Sequence, residues 1–200
     1  HFPTLTYDEL EAAIRITQNE LNKNGYASYN ESSLGPGGNL NLGGVLGEPA
    51  IHAYKKMQDE GKLSCRVTIG LLMGEYGALS YDDVVRGFEK IQLPDITDKN
   101  WLDIPMLKIF GDGIPTNHTS WCNEDYLNAP GNHGAACLPG STDEEMEEEL
   151  HKIILLAHSK GYQVAVHATG DRALDASLRG FVKAIETYPS ISRRHYTLHG

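Results

Sequence analysis

No apolar run in this chain is long enough to span a bilayer, and no stretch reads as a signal peptide. Cysteine is scarce too: the 200 residues hold three, Cys65, Cys122 and Cys137. None stands in the close Cys-x-x-Cys spacing of a structural zinc site. Cys65 lies in an apolar run and reads as a small core residue. Cys122 and Cys137 share one long polar stretch and could pair in an oxidising compartment, yet an odd count fits a reduced, cytoplasmic setting better. Positive charge is also in deficit. Lys and Arg number 17 against 27 Asp and Glu, for a net charge of −10. No basic patch is available to neutralise phosphates, which argues against nucleic acid or an anionic membrane as partner. The glycine-rich run from Gly35 to Gly44 lacks the Gly-Lys-Ser/Thr ending of a phosphate loop and misses the dinucleotide spacing, so it reads as a flexible active-site loop.

What is present is an alternation of helical and strand patterns. Thr6-x-x-Glu9 is a capping box ahead of Leu10, Ala13, Ile14, Thr17 and Leu21 on one helical face, with Gly25 past the end. Tyr26 to Tyr29 reads as a short strand, with Asn30-Glu31-Ser32 as its exit. A second helix starts near Pro49 and stops at Gly61. Arg66 to Leu72 is the next strand, and Ser80-x-x-Asp83 opens a third helix. Pro105 precedes a strand, Met106 to Phe110. Residues 111–140 form a long polar loop, of the kind that is functional or mobile. Thr142-x-x-Glu145 caps a helix with an apolar stripe of Met146, Leu150, Ile153, Ile154 and Ala157. Its acidic start suits the helix dipole and is a solvated face rather than a metal site. Val164 to Val166 is a buried strand between Gly161 and Gly170, a helix runs from Arg172 to Thr187, and Tyr196 to Leu198 is a last strand.

Strand, helix, strand without hairpin signals means a parallel sheet with right-handed crossovers, an α/β fold of β/α units. Five strands are expected, near residues 26, 66, 106, 163 and 196. An open doubly wound sheet and a section of an eight-stranded barrel both accommodate them. The chain begins at His1 without Met and stops at Gly200 just after a strand, so it is expected to be a piece of a longer protein.

Carboxyl ends of parallel strands are where ligands and catalytic groups collect. His167 and His199 stand at two adjacent strand ends, and neutral imidazole is a common zinc ligand. Lys108 interrupts the apolar Leu107-Lys108-Ile109-Phe110, where burying an ammonium needs a reason. One reason is a salt bridge to Asp112 or Asp171; another is a metal site.

Three segments carry a resemblance: Leu107-Lys108-Ile109-Phe110-Gly111-Asp112-Gly113-Ile114-Pro115, then His167-Ala168-Thr169-Gly170-Asp171-Arg172-Ala173, then Arg194-His195 leading to His199. Together they resemble amidohydrolase family 3, metal-dependent hydrolases that include N-substituted formamide deformylases, and the likeness covers nearly the whole chain. The resemblance implies a metal-binding (β/α)8 TIM barrel, of which residues 1–200 form a partial catalytic domain. It makes Lys108 a metal ligand as a carboxylated lysine, and His167 and His199 single-histidine ligands to a divalent metal, zinc by preference. His118 and Asp112 would face a small-molecule substrate. A His-x-His pair would precede His1, and the general-base Asp would follow Gly200. The implied reaction is hydrolysis of an amide or cyclic amide C–N bond by a water that the metal activates, with no hydrolase activity and only weak metal affinity expected from this piece alone. The family often has Glu before the second histidine, where this chain has Leu198, and Arg where it has His118.

Two other classes stay open from the residues themselves. One is a non-catalytic α/β domain in which His167 and His199 are structural. The other is a phosphate-binding domain using the helix start at Gly170-Asp171, although Asp171 already puts a negative charge there. A homo-oligomer is compatible with either.

Overall fold

The computed structural model describes residues 3–39, 45–74 and 79–200. Five helices and five strands alternate in order: α1 (Tyr7–Lys23), β1 (Ser28–Leu34), α2 (Glu48–Asp59), β2 (Arg66–Leu71), α3 (Tyr81–Lys90), β3 (Leu102–Phe110), α4 (Asp143–Ser159), β4 (Gln163–His167), α5 (Asp171–Thr187) and β5 (Tyr196–Leu198). The strands lie in one sheet in sequence order, β1-β2-β3-β4-β5. Both the β1·β2 and the β4·β5 ladders are parallel.

Two strands extend beyond their sequence limits. β1 takes in Asn30, Glu31 and Ser32, because pairing continues through Asn30↔Thr68 and Glu31↔Ile69 and, after a register shift, reaches Leu34↔Leu71. Ladder hydrogen bonds there outweigh the poor strand propensity of Asn and Glu. β3 starts at Leu102 and carries Pro105 inside it, ahead of the buried Met106 to Ile109 run. The caps follow the sequence closely. Thr6 and Glu9 form the full capping box of α1, and Gly25 takes a φ of 83° just past its end.

The chain divides into two compact units. The first comprises His1–Met73 and Gly87–Met106. Its core gathers Leu10 and Ile14 of α1, Ile51, Tyr54 and Met57 of α2, and Val67, Ile69 and Leu71 of β2. Glu11 draws Lys62 to 2.8 Å and Lys56 to 3.6 Å at the margin of this core. A 3₁₀ turn at Pro36–Gly38 opens the glycine-rich run. The Gly43-Gly44 end of that run lies outside the described residues.

The second unit comprises Gly74–Arg86 and Leu107–Gly200. Here α4 and α5 pack through small residues. Ala173, Ala176, Ser177, Gly180 and Ala184 are buried along α5, and a β-carbon on Gly180 would stand 2.6 Å from Cδ1 of Ile154. The loop after β3 is tied down rather than loose. Cys122 N donates to the His133 carbonyl at 2.8 Å, Cys137 N donates to the Gly111 carbonyl at 2.9 Å, and Trp121 is 0% exposed.

Candidate metal centre

The ends of β3, β4 and β5 are locked in register by backbone hydrogen bonds. Gly111 N donates to the His167 carbonyl at 2.9 Å, and Ala168 N donates to the Leu198 carbonyl at 3.2 Å. A side chain at Gly111 would crowd that junction, since its β-carbon would stand 2.7 Å from the same His167 oxygen. His167 is thus the last residue of β4, and His199 follows the end of β5 by one position.

The two imidazoles meet edge to face, with ring centroids 4.7 Å apart. His199 holds a left-handed backbone, φ 71°, at a cost of about 1–3 kcal/mol for a non-glycine residue. Strain of this kind concentrates at functional sites. Partial burial, then the neighbouring His167 and Lys108, hold the His199 pKa below its ordinary value. The ring of Phe110 lies 5.8 Å from that of His167, and Lys108 Nζ sits over Phe110 at 4.7 Å from the centroid. Lys108, Phe110, His167 and His199 therefore form a continuous chain of contacts.

Lys108 is 3% exposed, and among the described residues no carboxylate lies within ion-pair distance of it. Burial pushes its pKa down to about 8. The salt-bridge account of this lysine fails, because both candidate partners are engaged elsewhere. Asp171 accepts from the backbone N and the side-chain amide of Asn123, at 2.9 and 3.1 Å.

Asp112, expected at the substrate, is only 1% exposed and turns inward. Its Oδ2 accepts from Gly170 N at 2.7 Å and Trp121 N at 3.0 Å, and its Oδ1 accepts from Thr169 N at 3.0 Å. It is a brace joining the end of β3, the following loop and the start of α5. The same bonds close the phosphate-binding alternative: the N–H groups at this helix start already point at a carboxylate.

His167 Nε2 lies 2.8 Å from the Gly113 carbonyl oxygen. A carbonyl can only accept, so Nε2 carries the proton and Nδ1 keeps the lone pair. Histidines that bind metals commonly donate their other N–H to a carbonyl or carboxylate in this way. His118 occupies the loop after β3 in a left-handed conformation, φ 53°, and packs on Tyr126 with ring centroids 4.8 Å apart. Its ring contact is Tyr126, not either of the paired histidines.

Among the described residues, no three His, Cys, Asp or Glu side chains are grouped closely enough to hold a metal ion. The chemistry of the donors present fits such an ion in part. Two imidazoles converge with at least one free lone pair, next to a buried lysine that has no anion.

Two arrangements were not legible in the sequence. Trp121 donates its indole N–H to Asp143 at 2.8 Å, and Arg172 lies over the same indole and reaches Asp143 at 3.3 Å. The only signal for this was a lone tryptophan in an otherwise polar loop. The second is a pair of histidines, His158 buried and His195 half-buried. His195 Nδ1 accepts from Val164 N at 2.9 Å, so its Nε2–H donates to His158 Nδ1 at 2.9 Å, and His158 Nε2–H donates onward to the Tyr188 carbonyl at 3.3 Å. Every ring nitrogen is satisfied only while both histidines are neutral.

Comparison with known proteins identifies the family. Residues 1–199 match the model of the amidohydrolase family. A Bacillus subtilis (strain 168) protein named Putative amidohydrolase YtcJ is 33% identical over 95 residues, 48% of this chain and 16% of that protein. Protein LONG AFTER FAR-RED 3 of Arabidopsis thaliana is 32% identical over 78 residues, 39% of this chain and 12% of that protein. Among solved structures, an uncharacterized metal-dependent hydrolase from Pyrococcus horikoshii OT3 superimposes with a TM-score of 0.66 at 27% identity, over 90% of this chain and 31% of that one. A second, from Pyrococcus furiosus, also gives 0.66, at 25% identity over 90% and 32%. The chain thus spans about a third of the length of these hydrolases and less of the curated relatives. Its β/α units are those of a metal-dependent-hydrolase TIM barrel, and the chain belongs to the amidohydrolase family.

Proposed function

We propose that this chain supplies part of a divalent metal centre in a hydrolase that opens amide or cyclic amide C–N bonds. The observation that carries the reading is the pair of imidazoles 4.7 Å apart at adjacent strand ends, beside a buried lysine with no carboxylate partner among the described residues. His167 would bind through Nδ1 and His199 through its imidazole. Lys108 would bind after its neutral amine adds to the carbon of carbon dioxide and releases a proton. That product is an anion, which removes the cost of a buried unpaired ammonium. Zinc is the first choice because two imidazoles and a carboxylate-like oxygen suit it, and two cysteine-free strand ends offer no softer donor.

When bound, such an ion polarises a substrate carbonyl and lowers the pKa of a water toward about 7. The residues described here hold and orient. Gly113 fixes the His167 tautomer, Asp112 fixes the turn that carries Gly113, and the left-handed His199 aims its ring at His167. His118 is assigned to the substrate side. Further ligands and the general base are assigned to other parts of the whole protein, in keeping with the absence of a three-residue cluster among the described residues.

The test uses the whole protein. Bound metal is measured by elemental analysis, and a panel of linear and cyclic amides is assayed, for wild type and His199→Ala. Stoichiometric metal and amide hydrolysis in the wild type, both lost in the variant, are expected. Esters or phosphoesters cleaved in place of amides would sink the C–N assignment, and a metal-free active protein would sink the metal centre.

A further inference from the structure

Asp112 takes no part in the metal-centre reading as a ligand, yet it is the most heavily bonded side chain near it. Three backbone N–H groups, of Trp121, Thr169 and Gly170, converge on its carboxylate from two different segments. The Thr169 hydroxyl lies 3.2 Å from Asp112 Oδ2 and 2.9 Å from the Gly113 carbonyl oxygen. Space around this knot is gone. A β-carbon on Gly113 would overlap the Thr119 side chain, and one on Gly170 would overlap the Trp121 carbonyl. The peptide that follows Gly113 is held as well, since Ile114 N donates to Thr119 Oγ1 at 2.9 Å, and its carbonyl, that of Gly113, accepts from His167 Nε2 at 2.8 Å. Asp112 Oδ1 itself lies 3.7 Å from the same Nε2. That is too long for a hydrogen bond, but it places a carboxylate, besides the carbonyl, on the side of the ring where the proton sits.

We propose that Asp112 is a positioning residue that sets the tautomer of His167: its carboxylate anchors the Gly113 carbonyl, so that Nε2 is protonated and Nδ1 is presented at the strand end. The proposal rests on the reading of His167 as a metal ligand for its purpose, but the tautomer is a property of the ring alone. The two neutral tautomers of an exposed imidazole lie close in energy. A carbonyl at 2.8 Å backed by a carboxylate is enough to select one of them, since a buried N–H left without an acceptor is costly. The sequence motif then gains a division of labour. His167 is the donor atom, Thr169 and Gly170 grip Asp112, and Asp112 with Gly113 orients His167.

The experiment records the ring nitrogen resonances of His167 in the whole protein, labelled with nitrogen-15, metal-free and mildly alkaline, and then titrates zinc. In the wild type, Nε2–H is expected as the single tautomer. Asp112→Asn replaces one acceptor oxygen by an NH2 group, so whichever way the amide turns at least one of the three N–H donors meets another donor; the turn is pushed off and both tautomers are expected. Zinc affinity should fall about 10- to 100-fold, the usual effect of losing a partner behind a ligating histidine. Asp112→Ser, smaller and without the NH2 clash, carries the same expectation and serves where the asparagine variant does not fold. Thr169→Val is the comparison: it removes a hydroxyl from the same knot but keeps all three backbone donors on Asp112, so His167 should stay Nε2–H. A wild-type His167 protonated on Nδ1 overturns the proposal, and so does either Asp112 variant that keeps the Nε2–H tautomer and full zinc affinity. Zinc that leaves the wild-type His167 resonances unmoved overturns the metal reading instead, while the tautomer data still decide the role of Asp112.

Discussion

Gly170 lies so close to Trp121 that a β-carbon on the glycine would overlap the tryptophan carbonyl oxygen. That oxygen also accepts from Ala173 N at 3.2 Å, so the first turn of α5 is pinned to the loop after β3.

Gly170→Ala should consequently destabilise the protein by about 1–3 kcal/mol, because backbone rather than a flexible side chain must give way. Gly25→Ala, at a φ of 83° with nothing within 4 Å of the added carbon, should cost only the left-handed backbone penalty of about 1–2 kcal/mol, the smaller loss of the two because no atoms overlap. Denaturant midpoints of the two variants test the contrast. Equal losses would mean that the Gly170 contact is not a tight one.

His167→Ala in the whole protein should cut turnover and bound metal by at least about 100-fold. Its stability should change little, because the Gly113 carbonyl keeps the Thr169 hydroxyl at 2.9 Å as a donor. A structural histidine would behave the other way, leaving a buried partner unpaired at about 1–3 kcal/mol while turnover per folded molecule stayed normal. Metal content, melting temperature and rate on this one variant separate the two.

Lys108→Met removes a buried ammonium that has no carboxylate partner among the described residues, while keeping a chain that can pack on Phe110. The metal-free fold should gain about 1–2 kcal/mol near neutral pH, and activity of the metal-loaded protein should vanish, the trade expected where a strained site serves function. A less stable variant would show that Lys108 has a stabilising partner after all.

Stability should also fall on mild acidification through His195. Burial, then His158 and Arg193, depress its pKa from 6.5 to about 4 in the folded chain. Between those values the unfolded chain binds a proton that the folded chain refuses. The contribution is therefore complete above about pH 6.5 and is lost as pH drops toward 4. His195→Asn, whose Oδ1 can still accept from Val164 N, should flatten this slope. Melting temperatures across the interval decide it, and an unchanged slope would exclude His195 as the cause.

Local chemistry was enough to place most elements and the two strand-end histidines. Capping boxes, the glycine after α1 and the apolar periods of α1, α4 and α5 act within a few residues, so one chain read in order reveals them. Lys108 stood out for the same reason, as a charge inside an apolar run. Partnership was another matter. Asp112 was assigned to the substrate by the family resemblance alone. Its actual partners are 9 to 58 residues away, and only the fold brings them together. Glu31 read as a strand exit, and the ladder with β2 drew it in. His158 and His195, 37 residues apart, share a proton geometry that neither local pattern encodes. The sequence determined which groups could do chemistry, since that is a property of each side chain. Tertiary structure decided which nitrogen of His167 donates to Gly113 and why Lys108 has no carboxylate partner among the described residues, because hydrogen-bond direction and burial depend on what the rest of the chain places around them.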